Sequence, residues 1–202
     1  VLADLIEELC GPSGRIGVET DSFFVSARRM DMLRRRLGTR LVPAQLVEPL
    51  RLVKSAEELA HIRSAARITQ AAMETAVAMA AEGVNENRIA GAVWNSLVSA
   101  GGEFPGLPPF IVSGPRTCLG HSTWAGHVLR KGDPVVFEIP GVVHRYVAPL
   151  FRSGCVGEAP APMRRLEAAV VDSLETLIGA IGPGIPAEDL HRQSVASFAR
   201  HG

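Results

Sequence analysis

Pro134-Val135-Val136-Phe137-Glu138-Ile139-Pro140-Gly141-Val142-Val143-His144-Arg145-Tyr146-Val147-Ala148-Pro149-Leu150 is the stretch that decides how this chain folds. Two β-prone apolar runs flank a Pro-Gly pair. That pattern predicts a hairpin: a strand over 134–139, a turn at Pro140-Gly141 and a return strand over 142–150. A further strand over Arg152 to Val156 continues the block, and Phe110-Ile111-Val112-Ser113-Gly114 reads as an earlier strand ending in a turn. Glu138 breaks the apolar run. A buried carboxylate is costly unless it is paired or protonated. Glu138 therefore either has a partner or a task, or it lies on a solvated face of the sheet.

Helices lie on both sides of this strand block. Ser55-Ala56-Glu57-Glu58 is a capping box, in which the Ser hydroxyl and the Glu three residues later satisfy free backbone N–H groups. Behind it a long helix runs to about Ala81, with Ile62, Ala65, Ala66, Thr69, Met73 and Ala76 on one stripe. Gly83 stops it, and a second helix covers about Asn85 to Ala100. Further helices are predicted from about Pro162 to Ile181 and from about Ala187 to the end. Runs of helix, then strand, then helix give an α+β class.

The segment that opens Glu82-Gly83-Val84 lines up without gaps on the one that opens Pro183-Gly184-Ile185, an offset of 101 residues (Gly83 to Gly184). The first copy closes at Gly101 and is followed by strands; the second closes at Gly202, the last residue. A duplicated unit of this kind needs a second sheet half to complete its core. The expectation is therefore that about half the sheet is missing from this chain. Residues 1–50 read as the end of an α/β domain and 51–202 as the first part of the next. In the former, Asp4 to Leu9 is a short helix and Arg15 to Glu19 a strand. A helix capped by Asp21 runs to Leu37 before Gly38, and Leu41 to Leu50, with two prolines, is an extended connector.

Composition excludes several classes. Lys plus Arg and Asp plus Glu number 21 each, so the net charge is zero and nothing favours nucleic acid or an anionic membrane as a partner. Arg34-Arg35-Arg36 reads as a solvated helix face. No apolar run approaches the ~20 residues that span a bilayer. Three widely spaced cysteines form no CxxC pair, which points away from a disulfide framework or thiolate zinc and towards a reducing cytoplasm. Val1-Leu2-Ala3-Asp4 has neither an initiator Met nor a basic leader and reads as a chain cut from something longer.

Five residues are candidates for chemistry. His121 follows the 110–113 strand on a loop with Gly114, Pro115 and Gly120, a setting that suits a cleft-facing imidazole titrating near neutrality. Glu138 is the second. His144 and Tyr146, expected on one face of the return strand, and Arg152 further along are the others. A short loop would bring His144 or Arg145 beside Glu138 as its positive partner, with the register open. His121, Glu138 and His144 could hold a metal by ligand type, although nothing in their spacing demands it.

Three stretches, in order, resemble the pita-bread family of Xaa-Pro and methionine aminopeptidases, prolidases, creatinases and ectoine hydrolases. They are Leu50-Arg51-Leu52-Val53-Lys54-Ser55-Ala56-Glu57-Glu58 with Ile62-Arg63-Ser64-Ala65-Ala66; Ser113-Gly114 with His121; and Gly132-Asp133 through Arg152-Ser153 and Gly157. The resemblance implies a pita-bread fold cut after the first half of its duplicated catalytic domain. Metal-dependent members carry an aspartate on each strand of the central hairpin; here those positions are Glu138 and Pro149. The pattern Phe137-Glu138-Ile139, His144-Arg145-Tyr146, Pro149, Arg152 is similar to the ectoine-hydrolase branch, which opens a small cyclic amidine without metal. It implies a hydrolase of a small zwitterionic C–N compound with no cofactor. His121 would be acid or base, and Glu138 nucleophile or water-activating carboxylate. His144, Tyr146 and Arg152 would bind substrate, in a homodimer. Two alternatives stay open: a Xaa-Pro peptidase using manganese or another divalent metal, and a non-catalytic module.

Overall fold

The computed structural model describes residues 2–22 and 24–201, and the chain divides into two units, Val1–Leu59 and Ala60–Gly202. In the first, β1 (Ile16–Val18) and β2 (Leu41–Pro43) pair in parallel, accompanied by α1 (Leu2–Cys10), α2 (Ala27–Leu37) and α3 (Val47–Leu52). Two expectations need correction here. The N-cap of α2 is Ser26, whose hydroxyl accepts from the Arg29 N–H, not Asp21. The supposed connector contains β2 and α3. Glu19 Oε1 accepts from the N–H groups of Leu46 and Val47 at 3.2 and 2.8 Å, which caps α3. Pro49 sits in the first turn of α3, where no intrahelical N–H is required.

The second unit rests on α4 (Ala56–Met79), whose capping box forms as predicted. Glu58 N–H donates to Ser55 Oγ at 3.2 Å, and Ser55 N–H to Glu58 Oε2 at 2.6 Å. Next come α5 (Glu86–Ser99), β3 (Phe110–Ser113), β4 (Pro134–Val143) and β5 (Tyr146–Cys155), which form an antiparallel sheet in the order β3-β4-β5. The chain then runs into α6 (Ala161–Ala180) and α7 (Ala187–Ala199). Of the predicted stripe Ile62 and Ala66 are half-buried, while Ala65, Thr69, Met73 and Ala76 of α4, with Ala72 added, are buried. With Ile89 and Val93 of α5 and Phe137 and Ile139 of β4 they form the core. Each large side chain buried there stabilises the fold by about 1.5–3 kcal/mol.

Small residues on α4 let the sheet come close. The Thr69 hydroxyl accepts from Gly141 N–H at 2.8 Å and donates to the carbonyl of Ala148 at 2.7 Å, so one side chain ties α4 to both β4 and β5. A Cβ on Gly141 would lie 2.5 Å from Ala65 O and from Thr69 Oγ1. Gly141 is thus a contact glycine.

It is not a turn glycine, and here the predicted hairpin is corrected. β4 runs straight through Pro140-Gly141 to Val143, and the turn is His144-Arg145. Both turn residues are left-handed, φ 48° and 65°, as a two-residue hairpin of the right-handed twist requires. Neither is glycine, so each carries strain of about 1–2 kcal/mol. Glu103 offsets it: its carboxylate accepts from the N–H groups of His144 and Arg145 at 2.7 and 3.3 Å. The Arg145 guanidinium donates to Phe104 O and lies over the Phe104 ring.

The internal repeat is visible as paired helices: α5 starts at Glu86 and α7 at Ala187, at the same offset of 101 as Gly83 and Gly184, which are both left-handed. Gly202, the closing residue of the second copy, lies outside the described residues. Among the described residues, no helix is long and apolar enough to cross a membrane.

Candidate active site

Strand parity sorts the candidate residues onto the two faces of the sheet. Val135, Phe137 and Ile139 point to the helices and are buried, so Glu138 points to the opposite face. There it stands between its cross-strand neighbours Phe110 on β3 and Phe151 on β5, with Pro140 and Pro149 the next pair along. Among the described residues no cation pairs with the Glu138 carboxylate.

His121 approaches the same face. Its ring lies 5.3 Å, centroid to centroid, from the ring of Phe110, the residue directly opposite Glu138. The imidazole and the carboxylate thus share Phe110 as a neighbour. His121 is exposed and left-handed, φ 53°, on the loop between β3 and β4.

What holds that loop escaped the sequence reading. Glu86, in the first turn of α5, is fully buried. Its Oε1 accepts from Ser113 N–H at 2.8 Å and from the Ser113 hydroxyl at 2.7 Å; its Oε2 accepts from the N–H groups of Ala125 at 2.8 Å and His127 at 3.2 Å. Burial pushes its pKa up, but the donors from Ala125, Ser113 and His127 outweigh burial and hold it below the usual carboxylate value. Gly114 opens the loop with φ 63°, and a Cβ there would meet the His127 ring at 2.9 Å. The same ring bonds Asp133 Oδ2 through Nε2 at 2.7 Å. The only sequence signal for Glu86 is a carboxylate placed at a helix N-terminus, which a helix dipole would explain as well.

The other three candidates lie elsewhere. With the turn at His144-Arg145, Glu138 pairs with Phe151, so His144 and Arg145 do not come beside it as expected. His144 sits at the hairpin tip, 4.6 Å from the ring of His61 on α4. Tyr146 stacks on His61 at 5.6 Å, on the α4 side of the sheet. Arg152 pairs with buried Phe137 and also faces α4. There it lines a groove of about 920 Å³ with Met73, Gln70 and Glu74 of α4 and with Leu150. That groove is on the face away from Glu138. The fold thus sets His121 and Glu138 each beside Phe110, and places Tyr146 and Arg152 on the other face of the sheet.

Beside Glu138 the described residues supply no second carboxylate on the hairpin. The cross-strand neighbours of Glu138 are Phe110 and Phe151, and the facing pair one step along is proline on proline. Among the described residues no group of three or more His, Cys, Asp or Glu side chains is placed to hold a metal.

Comparison with known proteins agrees with this architecture. Residues 60–202 match the model of metallopeptidase family M24. The chain is 26% identical over 200 residues to the ectoine hydrolase of Halomonas elongata, covering 94% of this chain and 50% of that protein. It is 27% identical over 145 residues to the Xaa-Pro dipeptidase of Pyrococcus furiosus, covering 72% of this chain and 42% of the other. The solved Xaa-Pro dipeptidase of Bacillus anthracis superposes with a TM-score of 0.88 at 22% identity, over 100% of this chain and 56% of that one. The chain spans about half the length of the curated relatives it matches. The expected architecture, α+β of the pita-bread type, is the one found. With its family model matched from Ala60 to the end of the chain, this protein belongs to metallopeptidase family M24, a family of hydrolases.

Proposed function

We propose that this chain serves a hydrolase that cleaves a carbon–nitrogen bond in a small zwitterionic compound, with ectoine ring opening as the reaction and no two-metal centre. The observation that carries the reading is the sheet face on which Glu138 and His121 share Phe110; by the family resemblance, Pro149 stands where metal-dependent members carry an aspartate. The similarity to the ectoine hydrolase of Halomonas elongata supports the substrate. Glu138 takes a proton from water, and the water oxygen bonds to the amidine carbon. The bond from that carbon to one ring nitrogen then breaks as the new hydroxyl becomes the amide carbonyl; His121 gives the departing nitrogen a proton, and the hydroxyl proton and the one held by Glu138 restore His121 and complete the ammonium group. His144, Tyr146 and Arg152, on the hairpin tip and the α4 side, orient the substrate only where it extends beyond this face. A homodimer in the cytoplasm goes with the reading through the family resemblance.

The test is conversion of ectoine followed by NMR. Glu138→Gln and His121→Ala each lower kcat by about 10²–10⁴-fold if the assignment holds. Full activity in Glu138→Gln defeats it. A Xaa-Pro dipeptidase is the second reading, favoured by the similarity to the Pyrococcus furiosus enzyme and opposed by Pro149. Xaa-Pro cleavage that stops with a chelator and returns with manganese would establish it instead.

A further inference from the structure

Glu86 carries a full charge into the core and takes no part in the chemistry proposed above. Its contacts are unusual in where they lead. Ser113, which gives Oε1 two hydrogen bonds, is the last residue before the His121 loop; Ala125 and His127, which bond Oε2, are at its far end. One carboxylate therefore ties both feet of the loop to the start of α5. The loop's own cation closes the arrangement. Arg116 Nη1 lies 3.6 Å from Glu86 Oε2 and makes no hydrogen bond. Arg116 Nη2 donates to the Ser122 hydroxyl at 2.8 Å and to Thr123 O at 2.7 Å, the two residues that directly follow His121.

We infer that Glu86 and Arg116 are positioning residues for His121: the buried anion fixes the feet of the loop and holds the guanidinium, which in turn grips the backbone beside the imidazole. The inference rests on the reading that His121 transfers a proton in C–N hydrolysis. An exposed residue other than glycine persists at φ 53° only where its surroundings over-determine it. His121 meets the Phe110 ring, and Ser122 and Thr123, which directly follow it in the chain, are held by Arg116, so constraint reaches it through the backbone. A buried carboxylate accepting four bonds is stiff, because each donor would be left unpaired by its movement. The charge matters as well as the shape. In Glu86→Gln the amide NH2 must face N–H donors on one side and leaves Arg116 without a counter-charge.

Three variants of the full chain decide it: Glu86→Gln, Arg116→Ala and Arg116→Lys. Hydrogen exchange of the amides from 116 to 125 and the His121 imidazole NMR signal are read alongside kcat and KM for ring opening. Arg116 is partly exposed, so its variants are expected to keep the wild-type melting profile. In Arg116→Ala, exchange at Ser122 and Thr123 speeds up and the His121 signal broadens. Its kcat falls about tenfold to a hundredfold, because a displaced catalytic group loses orientation, while KM stays within about twofold. Arg116→Lys restores part of kcat, since an ammonium keeps the charge beside Glu86 but not the two-pronged grip. Glu86→Gln reproduces the effects of Arg116→Ala. If it fails to fold, Arg116→Ala decides alone. Unchanged exchange and an unchanged imidazole signal in Arg116→Ala overturn the inference. If the wild-type chain opens no ring, the hydrolase reading falls, and loop exchange and the imidazole signal still decide the positioning claim.

Discussion

The pairs α4–α5 and α6–α7 are copies at the level of chain grammar, and their side chains are treated very differently. In the first pair Ala65, Met73, Ala76, Ile89, Val93 and Leu97 are buried against each other and the sheet. In the second, burial reaches only Ala169, Ser173 and Ser197. Leu166, Val170, Leu174 and Ile178, spaced four apart on α6, are about half to two-thirds exposed. Polar contacts join α6 to α7: the Ser173 and Ser194 hydroxyls meet at 2.9 Å, and Asp172 gathers Ser197, Arg200 and His201. The difference teaches where a helix pair gets its stability. Amphipathic pattern prepares a face, but only a sheet set against that face converts it to free energy.

The sharpest way to break this contrast is to empty the packed side. Phe137→Ala removes a buried ring from the junction of β4 with α4 and α5, and unfolding in denaturant should show a loss of about 3–5 kcal/mol. A loss under about 1 kcal/mol would mean the first pair does not depend on the sheet. Gly141→Ala probes the same junction from the backbone. Its methyl group would enter the space held by Ala65 O and Thr69 Oγ1, so β4 must move off α4, at about 1–3 kcal/mol. Thermal melting checks it, and a neutral result would show that the helix can slide.

That junction also marks what the residues did and did not reveal beforehand. The capping box, the lengths of the helices from α4 on and the 101-residue offset are local or periodic, and they were legible. The turn was not. Pro140-Gly141 has the composition of a turn, yet Gly141 answers to a helix 72 residues away in sequence. The true turn, His144-Arg145, has no glycine and depends on Glu103, 41 residues from His144. The misplaced turn moved the register: a turn at 140–141 would set Glu138 near His144, whereas the observed one sets it against Phe151. Parity sets Tyr146 and Arg152 on the face opposite Glu138 in either register. Glu86 stayed hidden for the same reason, since its donors lie 27 to 41 residues away. Hydrophobic period and capping are properties of a segment; register and buried charge are properties of pairs of segments.

On the unpacked side the expected effects are small. Leu174→Ala shortens a side chain that is 55% exposed, so stability should stay within about 0.5 kcal/mol of wild type. A loss above about 1.5 kcal/mol, measured by denaturant unfolding, would mean that this face is covered in solution and that the two helix pairs are alike after all.

The smallest effect tests whether polar contacts do hold the second pair. The Ser197 hydroxyl first, then His201 and Arg200, draw the Asp172 pKa from the ordinary 3.8 down to about 2 against a weaker opposing push from burial. A carboxyl depressed in the fold contributes stability that is fully present above its ordinary value. The contribution fades as pH falls from about 3.8 through 2, because protonation removes the acceptor that three donors share. Amide exchange in α6 and α7 should therefore accelerate across that window. The Asp172→Asn variant should lack the Asp172-dependent part of the response, and the gap between the two proteins should close below pH 2. Asp172 is open to solvent, so added salt should shrink the gap through screening of Arg200, while the Ser197 bond persists. If the variant follows wild type throughout, Asp172 is not what joins α6 to α7, and the contrast must be redrawn on the Ser173–Ser194 contact alone.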